Sequence, residues 1–292
     1  MKEQLKKLRN YEIRIRKAIN SHLQGDFHSV FKGTGLEFDD VRPYQYGDDI
    51  RTIDWNVTAK GHGTFVKTFR EEKEQTVYFL IDVSASQNIG TAALTKRSLA
   101  AEVCGVLTLS AVKESSHVGL ICFSDERELF LKPAKGLTQA HLIIKNLVEL
   151  KPVSSRTSLA KAIGFALSTI HRRSMVILIS DFIDEGFEQP LKALARRHDV
   201  ILIRVADERE SALPALGIVP VRDAETGKIQ WVNTSFGHFP ARLRRVFSER
   251  GDHLEQFCRK HQINFVTVFT GRDFVPQLLR LFKVRNRSYK KT

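Results

Sequence analysis

Thr76-Val77-Tyr78-Phe79-Leu80-Ile81-Asp82-Val83-Ser84-Ala85-Ser86 decides the fold of this chain. Residues 77–81 are a near-continuous apolar run. A strand covered on both faces reads this way, because neither set of alternating side chains meets water. The run stops at Asp82, and three oxygen-bearing side chains follow at i, i+2 and i+4. A loop curling over a strand end can point all three at one centre.

Similar runs recur downstream. Val118–Phe123 reads as a second buried strand with Arg127–Leu131 as its hairpin partner, and Met175–Ile179 as a third, ending at Ser180-Asp181. Val200–Val205 and Ile263–Val268 complete the set. Helical periodicity places helices at 91–114, 137–149, 158–171, 188–197, 239–261 and 274–283. A polar hairpin pairs Ile218–Val221 with Lys228–Val232 around the turn Glu225-Thr226-Gly227. Alternating apolar strands and helices imply a mostly parallel, Rossmann-like α/β sheet with helices on both faces. Ligands of such sheets sit at the carboxyl ends of the strands.

Upstream, residues 3–23 have helical periodicity, with Leu5, Leu8, Ile15, Ile19 and Leu23 apolar among charges. A Gly- and Asp-rich segment, 25–64, reads as irregular, and Phe65–Phe69 alternates like an edge strand. The expected organisation is a family-specific segment over 1–75 and the α/β domain over 76–292, the hairpin being an insertion near 217–233.

Composition narrows the function. The chain has 292 residues, 42% hydrophobic and 27% charged, as in ordinary globular proteins. No apolar stretch reaches membrane-spanning length, and the N-terminus lacks a signal-peptide core, so a cytoplasmic location is expected. Cys104, Cys122 and Cys258 lie far apart in apolar contexts and read as core residues. The ten histidines have no zinc-like spacing. There is no Walker A loop or nucleophile elbow, and Gly33-Thr34-Gly35 follows no buried strand. The net charge of +13 concentrates in Lys6, Lys7, Arg9, Arg14, Arg16 and Lys17, in Arg242, Arg244 and Arg245, and in Lys283, Arg285, Arg287, Lys290 and Lys291. These are either solvated helix faces and a frayed tail or a surface for an acidic partner or polyanion.

Two further oxygens stand at other strand ends. Thr157 lies just before a helix, where either it or Ser158 can act as the cap. Asp181 ends the third strand. Singly, each of the five is a turn or cap residue. Together, Asp82, Ser84, Ser86, Thr157 and Asp181 resemble the metal-ion-dependent adhesion site of von Willebrand factor A domains. The resemblance implies Mg2+, or Mn2+ or Ca2+, held chiefly by hydroxyls and completed by a partner's carboxylate, so that the metal stays with its partner ligand. The usual glycine two residues before the threonine is Ser155 here.

The segment Gly33, Gly35, Glu37, Phe38, Arg42, Tyr44, Gly47, Asp48, Asp49, Arg51, Ile53, Asp54 and Trp55 is similar to the hallmark of a bacterial family of unknown function. Its members pair that segment with a von Willebrand A-like domain and are often encoded beside MoxR-type AAA+ ATPases. The resemblance implies a non-enzymatic, chaperone-like interaction module that acts with such an ATPase on a client protein. Physically, the segment is either a pinned loop or a docking surface. In the first case Ile53 and Trp55 bury, and Arg42 or Arg51 pairs with Asp48, Asp49 or Asp54. Two alternatives remain: nucleic-acid binding through the basic ends, and a Mg2+-dependent hydrolase. The hydrolase would need more carboxylates than the strand ends supply.

Overall fold

The computed structural model describes residues 35–289 except 62, 73–74, 92–93, 212–215, 226, 236 and 238. The helix expected at 3–23, Gly33, His22, His28 and the two last lysines lie outside the described residues.

Strand β1 (Gly35–Pro43) pairs antiparallel with β2 (Phe65–Glu72). Between them lies the four-residue helix α1 (Trp55–Thr58). The segment is therefore not irregular throughout: its residues 35–43 form one strand of a two-stranded sheet. The central strand β3 (Thr76–Asp82) follows. A minimal ladder, β4 (Gly90–Thr91) with β5 (Leu94–Thr95), precedes the long helix α2 (Lys96–Lys113). Next come β6 (His117–Phe123), β7 (Arg127–Ala134), α3 (Gly136–Glu149), α4 (Leu159–Thr169) and β8 (Met175–Ser180). Then come α5 (Glu188–Arg197), β9 (Asp199–Ala206) and the hairpin β10 (Ile218–Arg222) with β11 (Ile229–Asn233). The chain continues through α6 (Phe239–Lys260), β12 (Asn264–Phe269) and α7 (Val275–Tyr289).

The six-stranded sheet runs β12-β9-β8-β3-β6-β7, parallel except for the edge strand β7. The expected mostly parallel sheet is present, and it is covered on both faces. Val77, Phe79 and Ile81 point toward α2, α3 and α7, where Val103, Leu107, Ile143 and Phe282 pack. Tyr78 and Leu80 point toward α4, α5 and α6, where Ile163, Leu191, Leu194 and Leu254 pack. This two-sided burial is why β3 reads as an unbroken apolar run.

In the segment before β3, Arg42 clasps Asp48 through two 2.7 Å hydrogen bonds. The bond and the Arg42 charge hold the Asp48 carboxyl below its ordinary pKa. Asp49 caps the turn at Ile50–Thr52, and Asp54 caps α1 by accepting from Asn56 and Val57. Ile53 is buried and bridges to Val66. Trp55 corrects the expectation of burial, being 68% exposed. It occupies the first position of a single-turn helix whose role is to reverse the chain, and that position faces outward. Tyr44 and Arg51 are also exposed, and Gly47 turns the chain at φ +105°.

Candidate metal-ion-dependent adhesion site

The sheet's order changes direction at β3: the chain goes to β6 on one side and returns to β8 on the other. Such a switch point opens a crevice at the carboxyl ends of the diverging strands. Four loops meet there. Val83 N–H donates to Phe123 O at 2.9 Å, Ala85 N–H to Ser155 O at 3.0 Å, and Ser158 N–H to Ser124 O at 3.1 Å. Leu159 N–H donates to Asp184 Oδ2 at 2.7 Å. The loops after β3, β6 and β8 and the approach to α4 are thereby tied together.

Asp82 lies at the base, fully buried. Its Oδ1 accepts from Ser84 N–H at 3.0 Å. Its Oδ2 accepts from the Ser180 hydroxyl at 2.7 Å and from Gln87 Nε2 at 3.3 Å. Burial, and then the neighbouring Asp181 charge, push the Asp82 carboxyl up to about 7. Ser84 Oγ and Ser86 Oγ lie 3.1 Å apart. Ser158, not Thr157, caps α4, accepting from Lys161 N–H. The Thr157 hydroxyl is thus left to the crevice, where it meets the hairpin turn, donating to Glu225 at 2.6 Å.

Asp181 is engaged differently. The Lys96 ammonium, wholly buried, donates to Asp181 Oδ2 at 2.7 Å and to Glu210 Oε1 at 2.6 Å. Burial opposes the lysine charge, but the two carboxylates outweigh it and hold Lys96 above its ordinary pKa. Glu210 is fixed in turn, its other oxygen accepting from Asp207 N–H. Neither Lys96 nor Glu210 was singled out by sequence reasoning. One signal was available: a lysine in the first turn of an apolar helix sits at the positive end of the macrodipole and needs compensation. Gln87 and Ser180, which both bond Asp82, carried no such signal.

Do these residues fit a cation? Among the described residues no three His, Cys, Asp or Glu side chains cluster as a metal site. The set depends on hydroxyls. Ser84, Ser86 and Thr157 with the carboxylate of Asp82 offer only hard oxygens, the donors that Mg2+ takes while keeping waters. Gln87 Oε1, beside them, is buried with no partner. The donor chemistry fits. Lys96 already balances part of the Asp181 charge, so a divalent ion here meets less net negative charge than two free carboxylates would offer.

This sheet order, with serines after its central strand and the two aspartates at its switch point, defines a von Willebrand factor A-like α/β fold. The chain belongs to the family described as protein of unknown function DUF58, whose model matches residues 40–255. An uncharacterized protein of Mycobacterium tuberculosis is 28% identical over 283 residues, spanning 96% of this chain and 89% of that protein. One from Mycobacterium avium is 36% identical over 142 residues, covering 47% of this chain and 80% of that protein. Among solved structures, the conserved hypothetical protein BatB from Bacteroides thetaiotaomicron aligns over 73% of this chain and 99% of its own, at TM-score 0.45 and 14% identity. The SpRpn10 VWA domain aligns over 69% of this chain and 91% of its own, at TM-score 0.40 and 12% identity. No helix among the described residues is long and apolar enough to cross a membrane.

Proposed function

We propose that this chain is a non-enzymatic protein-interaction module that grips an acidic residue of a partner through a divalent cation at Asp82, Ser84, Ser86 and Thr157. The observation that carries the reading is the convergence of the paired Ser84 and Ser86 hydroxyls, the buried Asp82 and the Thr157 loop on one crevice. When bound, Mg2+ supplies a point of positive charge for a carboxylate. The protein's own residues position that charge. Asp82 is buried beneath the hydroxyls, Ser180 and Gln87 orient its carboxylate, and Asp181 stands alongside, shared with Lys96.

The chemistry present supports binding rather than turnover. The cysteines are poor nucleophiles: burial pushes the Cys104 and Cys258 thiols up to about 12 and raises Cys122 as well. The partner, in this proposal, is a MoxR-type AAA+ ATPase together with a client that the pair remodels or matures. Pull-down with the cognate ATPase tests it. Capture is expected with Mg2+, and its loss with chelator or with Asp82→Ala. Equal capture under all three conditions removes the metal-dependent reading.

A further inference from the structure

Thr157 has a partner of its own within the chain. Its hydroxyl donates to Glu225 Oε1 at 2.6 Å, and its backbone N–H donates to Glu225 Oε2 at 3.3 Å. The Ser155 hydroxyl donates to the backbone oxygen of Glu225 at 2.9 Å. Both oxygens of one carboxylate, from 68 residues away in sequence, are thus received by the loop that closes the crevice. Ser155, the departure from the usual glycine, supplies the third bond.

Glu225 belongs to no strand of the central sheet. It sits in the turn of the β10–β11 hairpin, and the turn is built to hold it out. Glu225 N–H donates to Asp223 Oδ1, and Asp223 N–H to Lys228 O, both at 2.9 Å. Gly227, at φ +69°, donates its N–H to Asp223 O at 2.9 Å. The arms are the opposite case. Ile218, Ile229 and Trp231 are 66%, 62% and 71% exposed. An isolated two-stranded hairpin is marginal in water. Three hydrogen bonds at the tip, two of them to a carboxylate, therefore weigh heavily on where the hairpin lies.

We infer that Glu225 is an internal ligand of this site: its carboxylate fills the position that a partner's acidic side chain takes, and a partner binds by displacing the hairpin. The inference rests on the reading of the site given above, and it adds that the site is self-occupied until competed. A competing carboxylate then binds with an affinity reduced by the fraction of molecules whose hairpin is open.

Two measurements on the full chain test this, each with Glu225→Ala beside the unaltered protein. In hydrogen exchange, Glu225→Ala is expected to speed exchange at 153–158 and 218–233 at least ~10-fold, the scale of removing a charged hydrogen-bond pair. Strands β3 and β8 serve as the folding control and stay unchanged. Equal exchange in the two proteins overturns the latch. With saturating Mg2+, acetate is then titrated and followed at the Thr157 amide by NMR. Glu225→Ala is expected to bind acetate at least ~10-fold more tightly. Equal or absent acetate binding in both overturns displacement. Mn2+ binding, read from the free-ion EPR signal, separates the two claims. Should neither protein bind Mn2+, the metal reading falls, and the exchange comparison alone still decides the latch.

Discussion

At the scale of single residues, Asp82 is held in tension. Its carboxyl ordinarily titrates near 3.8, and burial with Asp181 nearby moves it to about 7. Between those values the folded protein keeps a proton that the unfolded chain has released. Stability without a divalent ion must therefore fall as pH rises from about 4 to about 7. Asp82→Asn removes this penalty. In chelator it should melt at least ~2 °C higher than the unaltered protein above pH 7, the shift made by roughly 1 kcal/mol in a chain of this size. Its Tm should also vary less with pH, and parallel profiles would contradict the account. Lys96 is the complementary case. Replacing it with Met leaves the buried Asp181, and the partly buried Glu210 beside it, without their ammonium, a change that costs roughly 3–5 kcal/mol for the buried carboxylate. Added Mg2+ should restore more Tm to Lys96→Met than it adds to the unaltered protein, because the ion then supplies the missing charge. An equal gain in both would place Lys96 outside the site's electrostatics. The five oxygen residues stood out in the sequence as D-x-S-x-S, a threonine and an aspartate because polar side chains that directly follow apolar strands break the pattern. Lys96, Glu210 and Glu225 were not, since each comes from a distant segment and acquires its role only through folding.

At the scale of elements, the loop between α3 and α4 is kept in place by Glu128 of β7. Its carboxylate accepts from the Ser124 hydroxyl at 2.6 Å and from the Val153 and Ser154 amides at 2.9 and 3.1 Å. Burial opposes ionisation, yet these three donors hold Glu128 below its ordinary pKa. The lock is thus fully formed above the unfolded-state value and is lost as pH falls through the lower, folded one. Glu128→Gln should loosen 153–158 by about 1–3 kcal/mol of local opening free energy, read as faster amide exchange there and not in β8. Unchanged exchange would mean that the loop is held elsewhere. The strands of the central sheet were readable from their apolar runs, because two-sided burial leaves no alternative pattern. Strand β1 was hidden: Gly35–Pro43 mixes charges with few apolar residues, and its pairing with β2 depends on a partner more than twenty residues away. Trp55 misled for a related reason, since an aromatic residue beside a buried Ile53 reads as core until the single turn of α1 rotates it outward.

At the scale of the whole molecule, one sheet separates two apolar layers. Leu107 lies in the layer of α2 and Leu191 in that of α5, and both are fully buried. Replacing either with Ala should cost about 2–5 kcal/mol. Because the sheet stands between them, the double variant should lose the sum within about 0.5 kcal/mol, measured by urea unfolding at equilibrium. A large departure from additivity would mean that the layers communicate through the strands. The net charge of +13 acts at the same scale. It bears on solubility and on the rate of encounter with charged molecules. The hairpin, finally, is a ruler. Each arm has five residues, and a strand advances about 3.4 Å per residue. Lengthening both arms by two residues preserves every inward and outward assignment, yet carries Glu225 about 7 Å past Thr157. The solvent-facing letters of β10 and β11 can therefore drift freely over evolutionary time, while an insertion or deletion there is heritable trouble. Among descendants of this gene, length in this stretch should vary less than spelling.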